Sequence, residues 1–217
     1  MINILGICGS PIKNSNTKII LKEAFKAIKQ DGVQIEIFDL YNKKIQDCCH
    51  CNWCMDKQSK NEYCILKDDM EELYPKVVNA HALMVASPVY LGRLSGHLAS
   101  VLDRIRCIHY GRYYAGGMKH KTGAAIAVSW YRNSGIETTI SSIHWAFLTY
   151  QMLIAVPGSI STFGGAGVSS FSGTGDFDSK DKHQILKDKH GIKTAGLTAK
   201  SMVEIAHIIK KGKDVIV

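Results

Sequence analysis

Five of the chain's seven cysteines fall within "DCCHCNWCMDKQSKNEYC", residues 47–64. Cys48, Cys51 and Cys54 are spaced Cys-x2-Cys-x2-Cys, with Cys49 beside the first and Cys64 ten residues beyond the third. Such a knot can close disulfides, bind a metal or remain as free thiols. Zinc usually takes two separated Cys-x2-Cys pairs or a Cys/His set. Here a third cysteine follows at once, and His50 is adjacent to two cysteines rather than spaced from them. Three thiolates at this spacing can wrap one face of a [4Fe-4S] cubane when a more distant cysteine supplies the fourth ligand. That reading takes Cys48, Cys51, Cys54 and Cys64 as ligands and leaves Cys49 spare. Zinc and free thiols stay open.

A second group of polar residues lies near the N-terminus. "GSPIKNSNT" (9–17) offers the Ser10, Ser15 and Thr17 hydroxyls and the Asn16 amide just where a helix should begin. A helix start lined with hydroxyls is a ready anion site. The loop is neither G-x-x-x-x-G-K-[ST] nor G-x-G-x-x-G. Donors without a clamping lysine suit a phosphate monoester, and the same residues would also serve as a plain capped turn. None of the nine histidines falls at metal-ligand or dyad spacing. Cys8 and Cys107 read as small buried residues.

Alternating strands and helices must position these groups. Residues 1–8 are almost continuously apolar, as in a strand buried on both faces of a parallel sheet. Leu21, Ala24, Phe25 and Ile28 then mark one face of a helix. Residues 33–40 form a second strand, and the cysteine-rich insertion, 47–66, follows it. A helix over 67–80 contains Pro75, which should kink or shorten it. Strands are expected at 82–88, 122–130 and 152–158, with helices over 97–108 and 136–151. A Gly/Ser-rich loop, 158–179, precedes a last helix over about 194–210 with Met202, Ile205, Ala206 and Ile209 inside. This is an α/β order, an open doubly wound sheet of five parallel strands with helices on both faces. Ligands of such sheets bind beyond the carboxyl ends of the strands, where all these loops lie. We expect a single domain over 1–217.

Composition agrees. At 46% apolar and 21% charged residues, the chain can build a core. No apolar run is long enough to span a membrane, and the N-terminus lacks a basic n-region and cleavage site. A cytoplasmic protein is expected, and in that compartment disulfides are disfavoured. The net charge of +8 comes from scattered lysines, which argues against a nucleic-acid partner and for a solvated basic surface.

Several stretches in order resemble one family. "GSPIKNSNT", "CILKDDM", "SPVYLGRLSG" (87–96) and "LDRI" (102–105) are together similar to the flavodoxin-like NAD(P)H-dependent FMN reductases, over roughly residues 1–150. The resemblance implies FMN, with Ser10, Pro11, Ser15, Asn16 and Thr17 at the phosphate and Pro88, Val89, Tyr90, Leu91 and Gly92 along the isoalloxazine. The family's third loop often has Arg followed by glycines. Here "SWYRNSGIE" has Arg132 and Gly135 with Asn133 and Ser134 between them, and the resemblance implies Arg132 as this loop's cofactor contact. Trp130 is placed to stack on the ring or to join the core, and Phe163, Phe171 and Phe177 to cover it.

The iron-sulfur flavoprotein branch carries a compact four-cysteine motif in the loop occupied here by Cys48–Cys64, which implies a [4Fe-4S] cluster. The nine-residue gap before Cys64 is longer than that motif usually has. The implied activity passes electrons between the cluster, FMN and a small or protein partner. The alternatives are a cluster-free NAD(P)H-dependent FMN or quinone reductase and, outside enzymes, a flavodoxin-like carrier. NAD(P)H or a ferredoxin-like protein would be the donor, and the assembly a homodimer or homotetramer.

Overall fold

The computed structural model describes residues 1–28, 31–161 and 163–216, with side chains up to residue 212. In chain order its elements are β1 (Ile2–Cys8), α1 (Asn16–Lys26), β2 (Val33–Asp39), α2 (Trp53–Asp56), α3 (Met70–Asn79), β3 (Ala82–Tyr90), β4 (Arg93–Leu94), α4 (Gly96–Arg104), α5 (Arg106–His109), β5 (Thr122–Ser129), α6 (Ile136–Thr149), β6 (Leu153–Ala155), β7 (Gly165–Val168) and α7 (Lys189–Ile216).

The central path runs β2-β1-β3-β5-β6, and all its pairings are parallel. This is the five-stranded doubly wound sheet expected, with one difference at its edge. β6 pairs with Thr122–Ala124 of β5, and β7 pairs with Ile126–Ser129. The two short strands therefore share one edge position, and residues 165–168 are strand rather than loop. Their sequence, Gly-Ala-Gly-Val, offers almost no apolar alternation, so no strand signal reached the surface of the pattern.

Each face has its own core. One joins Ile20, Leu21 and Phe25 of α1 to Ala195, Ala199 and Met202 of α7 across β1, β3 and β5. The other collects Met70, Leu73 and Val77 of α3, Leu98 and Val101 of α4, and Ile140, Ile143 and Phe147 of α6. α3 passes through Pro75 and extends to Asn79. The missing N–H and ring clash of an interior proline cost about 3 kcal/mol. Met70, Leu73, Tyr74 and Val77, all fully buried, anchor the helix on both sides of the proline. The helix expected over 97–108 breaks at Ile105 into α4 and α5, and α7 begins at Lys189, five residues earlier than about 194. Among the described residues no helix is long and apolar enough to cross a membrane.

Candidate functional site

A cleft of about 570 Å³ opens beyond the carboxyl ends of β1, β3 and β5. Its volume falls in the range of small-molecule sites. Three loops line it. The first caps α1: the Ser15 hydroxyl accepts from the Lys18 N–H at 3.2 Å, as an N-cap should. The first N–H groups of a helix lack intrahelical partners and point outward, which leaves those of Asn16 and Thr17 facing this end. Ser10 and Thr17, 1% and 2% exposed, stand on the same wall. Asn16 lines the cleft, but its side-chain amide is engaged elsewhere. It donates to the Lys182 carbonyl at 3.1 Å and accepts from the Ile185 N–H at 3.2 Å. Asn16 thus ties α1 to the segment before α7, and what it offers an anion is its backbone. Beneath the loop, burial pushes the Cys8 thiol up to about 12, so it stays protonated.

The second loop is the β3–β4 hairpin. Val89 pairs with Leu94 and Tyr90 with Arg93, and the two residues between, Leu91 and Gly92, have φ of 49° and 77°. That is the twist a two-residue hairpin turn demands. Leu91 is wholly exposed in a backbone region that leucine rarely occupies. Pro88, Val89, Tyr90, Leu91 and Gly92 all line the cleft.

The third loop follows β5. Gly135, at φ 105°, packs so closely on the hairpin that a Cβ there would lie 2.5 Å from Gly92 Cα. The Thr138 hydroxyl donates to the Gly92 carbonyl at 2.5 Å, and the two loops are locked together. Trp130, half exposed, lines the cleft and stacks on Phe177 with centroids 5.3 Å apart. Phe171 instead lies under Lys187, 5.5 Å from its ammonium. The segment 169–176 is zipped onto this loop: Ser170 donates to the Trp130 carbonyl, and Arg132 N–H donates to Gly173 at 2.9 Å.

Two predicted residues lie off the lining. Pro11 is exposed and does not line the cleft. Arg132 turns its guanidinium to the Ser172 carbonyl at 2.8 Å. Sequence reading missed Ile12, Val128, Tyr131, Ser134 and Ser169. Ser169 follows the unrecognised β7, which explains its omission. Among the described residues the lining has no Asp, Glu, Lys, Arg or His. Helix N–H groups and hydroxyls on one wall with an apolar and aromatic remainder suit a phosphorylated planar ring, so the residues fit FMN.

The cysteines gather at a separate place. Cys48, Cys49, Cys51, Cys54 and Cys64 rim a cavity of about 20 Å³ together with Arg104, Arg106 and Cys107, room for about one water. Cys107, which sequence reading left in the core, is this cavity's buried floor. The neck of the cysteine segment is stitched. Lys44 N–H donates to Asp69 at 2.7 Å, and Asp69 N–H returns to the Lys44 carbonyl at 3.1 Å. Asp68 accepts from Gln46 N–H at 2.9 Å and pairs with buried Arg104 at 2.8 Å, and Arg104 also donates to the Gln46 carbonyl. Burial pushes the Asp68 carboxyl up, but hydrogen bonds from Arg104, Gln46 and Met70 outweigh it and hold the carboxyl below its usual value. Burial raises the Cys54 thiol against the pull of Arg106.

The donor set suits thiolate-ligated iron. Its arrangement is open: among the described residues no group of three or more His, Cys, Asp or Glu stands close enough to hold a metal ion.

Comparison with known proteins follows the same lines. Residues 2–166 match the NADPH-dependent FMN reductase family. An iron-sulfur flavoprotein of Methanocaldococcus jannaschii is 33% identical over 209 residues, covering 96% of this chain and 99% of that protein. One from Archaeoglobus fulgidus is 34% identical over 203 residues, covering 93% and 96%. Among solved structures, RosB with a bound 8-demethyl-8-formylriboflavin-5'-phosphate superposes with a TM-score of 0.72 at 12% identity, covering 97% of this chain and 81% of RosB. A NAD(P)H:quinone oxidoreductase from Methanothermobacter marburgensis gives 0.58 at 13%, covering 93% and 98%. At these identities the two structures speak for the fold alone.

Proposed function

We propose a role that starts from the family: this chain belongs to the NADPH-dependent FMN reductases, in their iron-sulfur flavoprotein branch, and is an FMN-dependent oxidoreductase. In our reading it takes electrons from a nicotinamide or a ferredoxin-like protein and exchanges them with a [4Fe-4S] cluster on Cys48, Cys51, Cys54 and Cys64. The observation that carries the FMN site is the convergence of the α1 N-terminus and the β3–β4 hairpin on one cleft without charged lining. FMN, when bound, supplies hydride and single-electron chemistry itself. The chain's own residues bind and orient. The Ser10, Ser15 and Thr17 hydroxyls and the Asn16 and Thr17 N–H groups would hold the phosphate. The backbone of 88–92, with Tyr90 and Trp130, would hold the ring.

The cluster rests on two supports, the gathering of the cysteines at one cavity and the names of the relatives. Cys51 is exposed, and Cys48, Cys54 and Cys64 are partly so, so iron has access. The open thiol geometry favours a second reading, a cluster-free reductase of quinones, flavins or nitroaromatics. An absorption spectrum of anaerobically purified protein, with iron and sulfide assays on the same sample, decides between them. Flavin bands with stoichiometric iron and sulfide support the first reading. Flavin without iron, even after reconstitution, supports the second. No flavin uptake at all overturns both.

A further inference from the structure

The stretch between Cys54 and Cys64 is built, not slack. Gln58 lies at its centre and is 4% exposed. Its Nε2 donates to the Tyr63 carbonyl at 3.0 Å and to the Cys107 carbonyl at 2.9 Å. Its Oε1 accepts from the Tyr113 N–H at 3.0 Å and the Tyr114 N–H at 3.2 Å. A carboxamide has two N–H donors and an oxygen with two lone pairs. All four are used, and all four partners are backbone, which also settles which end of the amide is which.

Those partners bracket the thiols. Tyr63 immediately precedes Cys64, and Cys107 is the floor of the cavity. The turn that holds Oε1 also contains Arg112, whose N–H donates to the Cys54 carbonyl at 2.9 Å. One buried side chain therefore joins the backbones around Cys54, Cys64 and Cys107. Its receptor is shaped for it. A Cβ on Gly111 would lie 2.2 Å from Gln58 Oε1 and 2.0 Å from the Cys107 carbonyl. Tyr63 closes the top, stacked between Tyr74 at 5.1 Å and Tyr114 at 4.7 Å.

We propose that Gln58 is the positioning residue of the thiol set, the pin that brings Cys64 back beside Cys54 across the long intervening stretch. This rests on the reading that these thiols act together on iron. A flexible loop would also close at small entropic cost, but it would leave the Cys64 thiol unplaced. A buried amide with every hydrogen bond satisfied selects one arrangement, because any other leaves polar groups unpaired in a dry interior.

The test uses the full chain with Gln58→Met, which keeps the volume and removes the four bonds, and Gly111→Ala, which presses on the pin from the receptor side. Ser59→Ala, on the exposed neighbour, is the control. Three quantities are read: iron affinity after anaerobic reconstitution, the alkylation rate of each cysteine in metal-free protein by peptide mapping, and FMN affinity. Both test variants should bind iron roughly tenfold more weakly, the scale for losing supporting contacts around a metal. Alkylation of Cys64 should quicken more than that of Cys49, the absorption of any residual cluster should shift, and FMN affinity should not change. Wild-type alkylation ratios in both variants overturn the proposal, and so does FMN loss in step with the thiol changes, which would make Gln58 a general support. Wild-type protein without iron overturns the cluster reading, and the alkylation pattern still decides the role of Gln58.

Discussion

The cleft and the cysteine knot solve opposite problems. The cleft is assembled from three loops far apart in sequence, each at the end of a buried parallel strand. Its donors are in place because the strands are, and Ser15, Gly92 and Gly135 only trim the fit. The knot is assembled from thiols close together in sequence, which brings them near without orienting them. Its neck is tied by Asp68, Arg104 and Asp69 and its floor by Gln58 and Cys107, yet the thiols between remain open. Proximity along the chain supplies ligands, and only long-range packing supplies geometry.

The sharpest way to break this contrast is to remove one site and watch the other. Cys51→Ser should abolish iron binding and leave FMN in place, whereas Cys49→Ser should leave both, as read by iron assay and flavin fluorescence. Loss of FMN with Cys51→Ser would mean that the two regions fold as one. The converse change is Ser15→Ala with Thr17→Ala. Hydrogen bonds to a charged group contribute about 1.5–3 kcal/mol each, so with both hydroxyls gone FMN should bind roughly 100- to 10,000-fold more weakly at about 1.36 kcal/mol per decade, with riboflavin little affected. The lost cap alone costs about 1 kcal/mol of stability, and the riboflavin titration controls for it. Equal losses for both ligands would place the phosphate elsewhere.

A smaller effect probes how the cleft's loops are locked. Gly135→Ala forces a side chain into φ 105° and against Gly92, and should destabilise by about 1–3 kcal/mol, measured as a shift of the urea midpoint. FMN affinity should fall with it, and iron content should not.

The smallest effect is acid sensitivity of the knot's neck. The Asp68 carboxyl is held below its ordinary value of 3.8. The unfolded chain therefore binds its proton first, and stability rises with pH across that window. The contribution is complete above 3.8 and is lost as pH falls through the lower folded value. Amide hydrogen exchange of residues 44–69, corrected for its intrinsic pH dependence, should accelerate there in wild type. In Asp68→Asn the neck should already be loose at neutral pH and show no such step. The cleft lining has no carboxylate or histidine and should show no matching transition of its own.

Much was legible because the relevant physics is local. Burial on both faces makes the apolar run of β1, and period-3.6 faces mark α1. A serine before a helix both caps it and lines an anion site. The SPVYLG stretch sits at a strand's carboxyl end because doubly wound topology leaves it no other place. Other features were invisible for equally physical reasons. β7 is made of Gly-Ala-Gly-Val and pairs only because β5 presents an unfilled edge. Arg132 is where a cofactor contact was expected, but the carbonyl of Ser172, forty residues away, takes its guanidinium. Asn16 has the amide of an anion ligand, and a segment near residue 185 claims it.

The sequence by itself determined the strand and helix order, the helix-start donors and the stock of thiols, since each follows from side-chain periodicity, capping chemistry or simple adjacency. Only the tertiary structure decided which donors remain free to face a ligand, that Trp130 meets Phe177, and that Cys107 lies under the knot. Hydrogen bonds and burial are satisfied by whichever group arrives in space, and a linear pattern carries no record of who arrives.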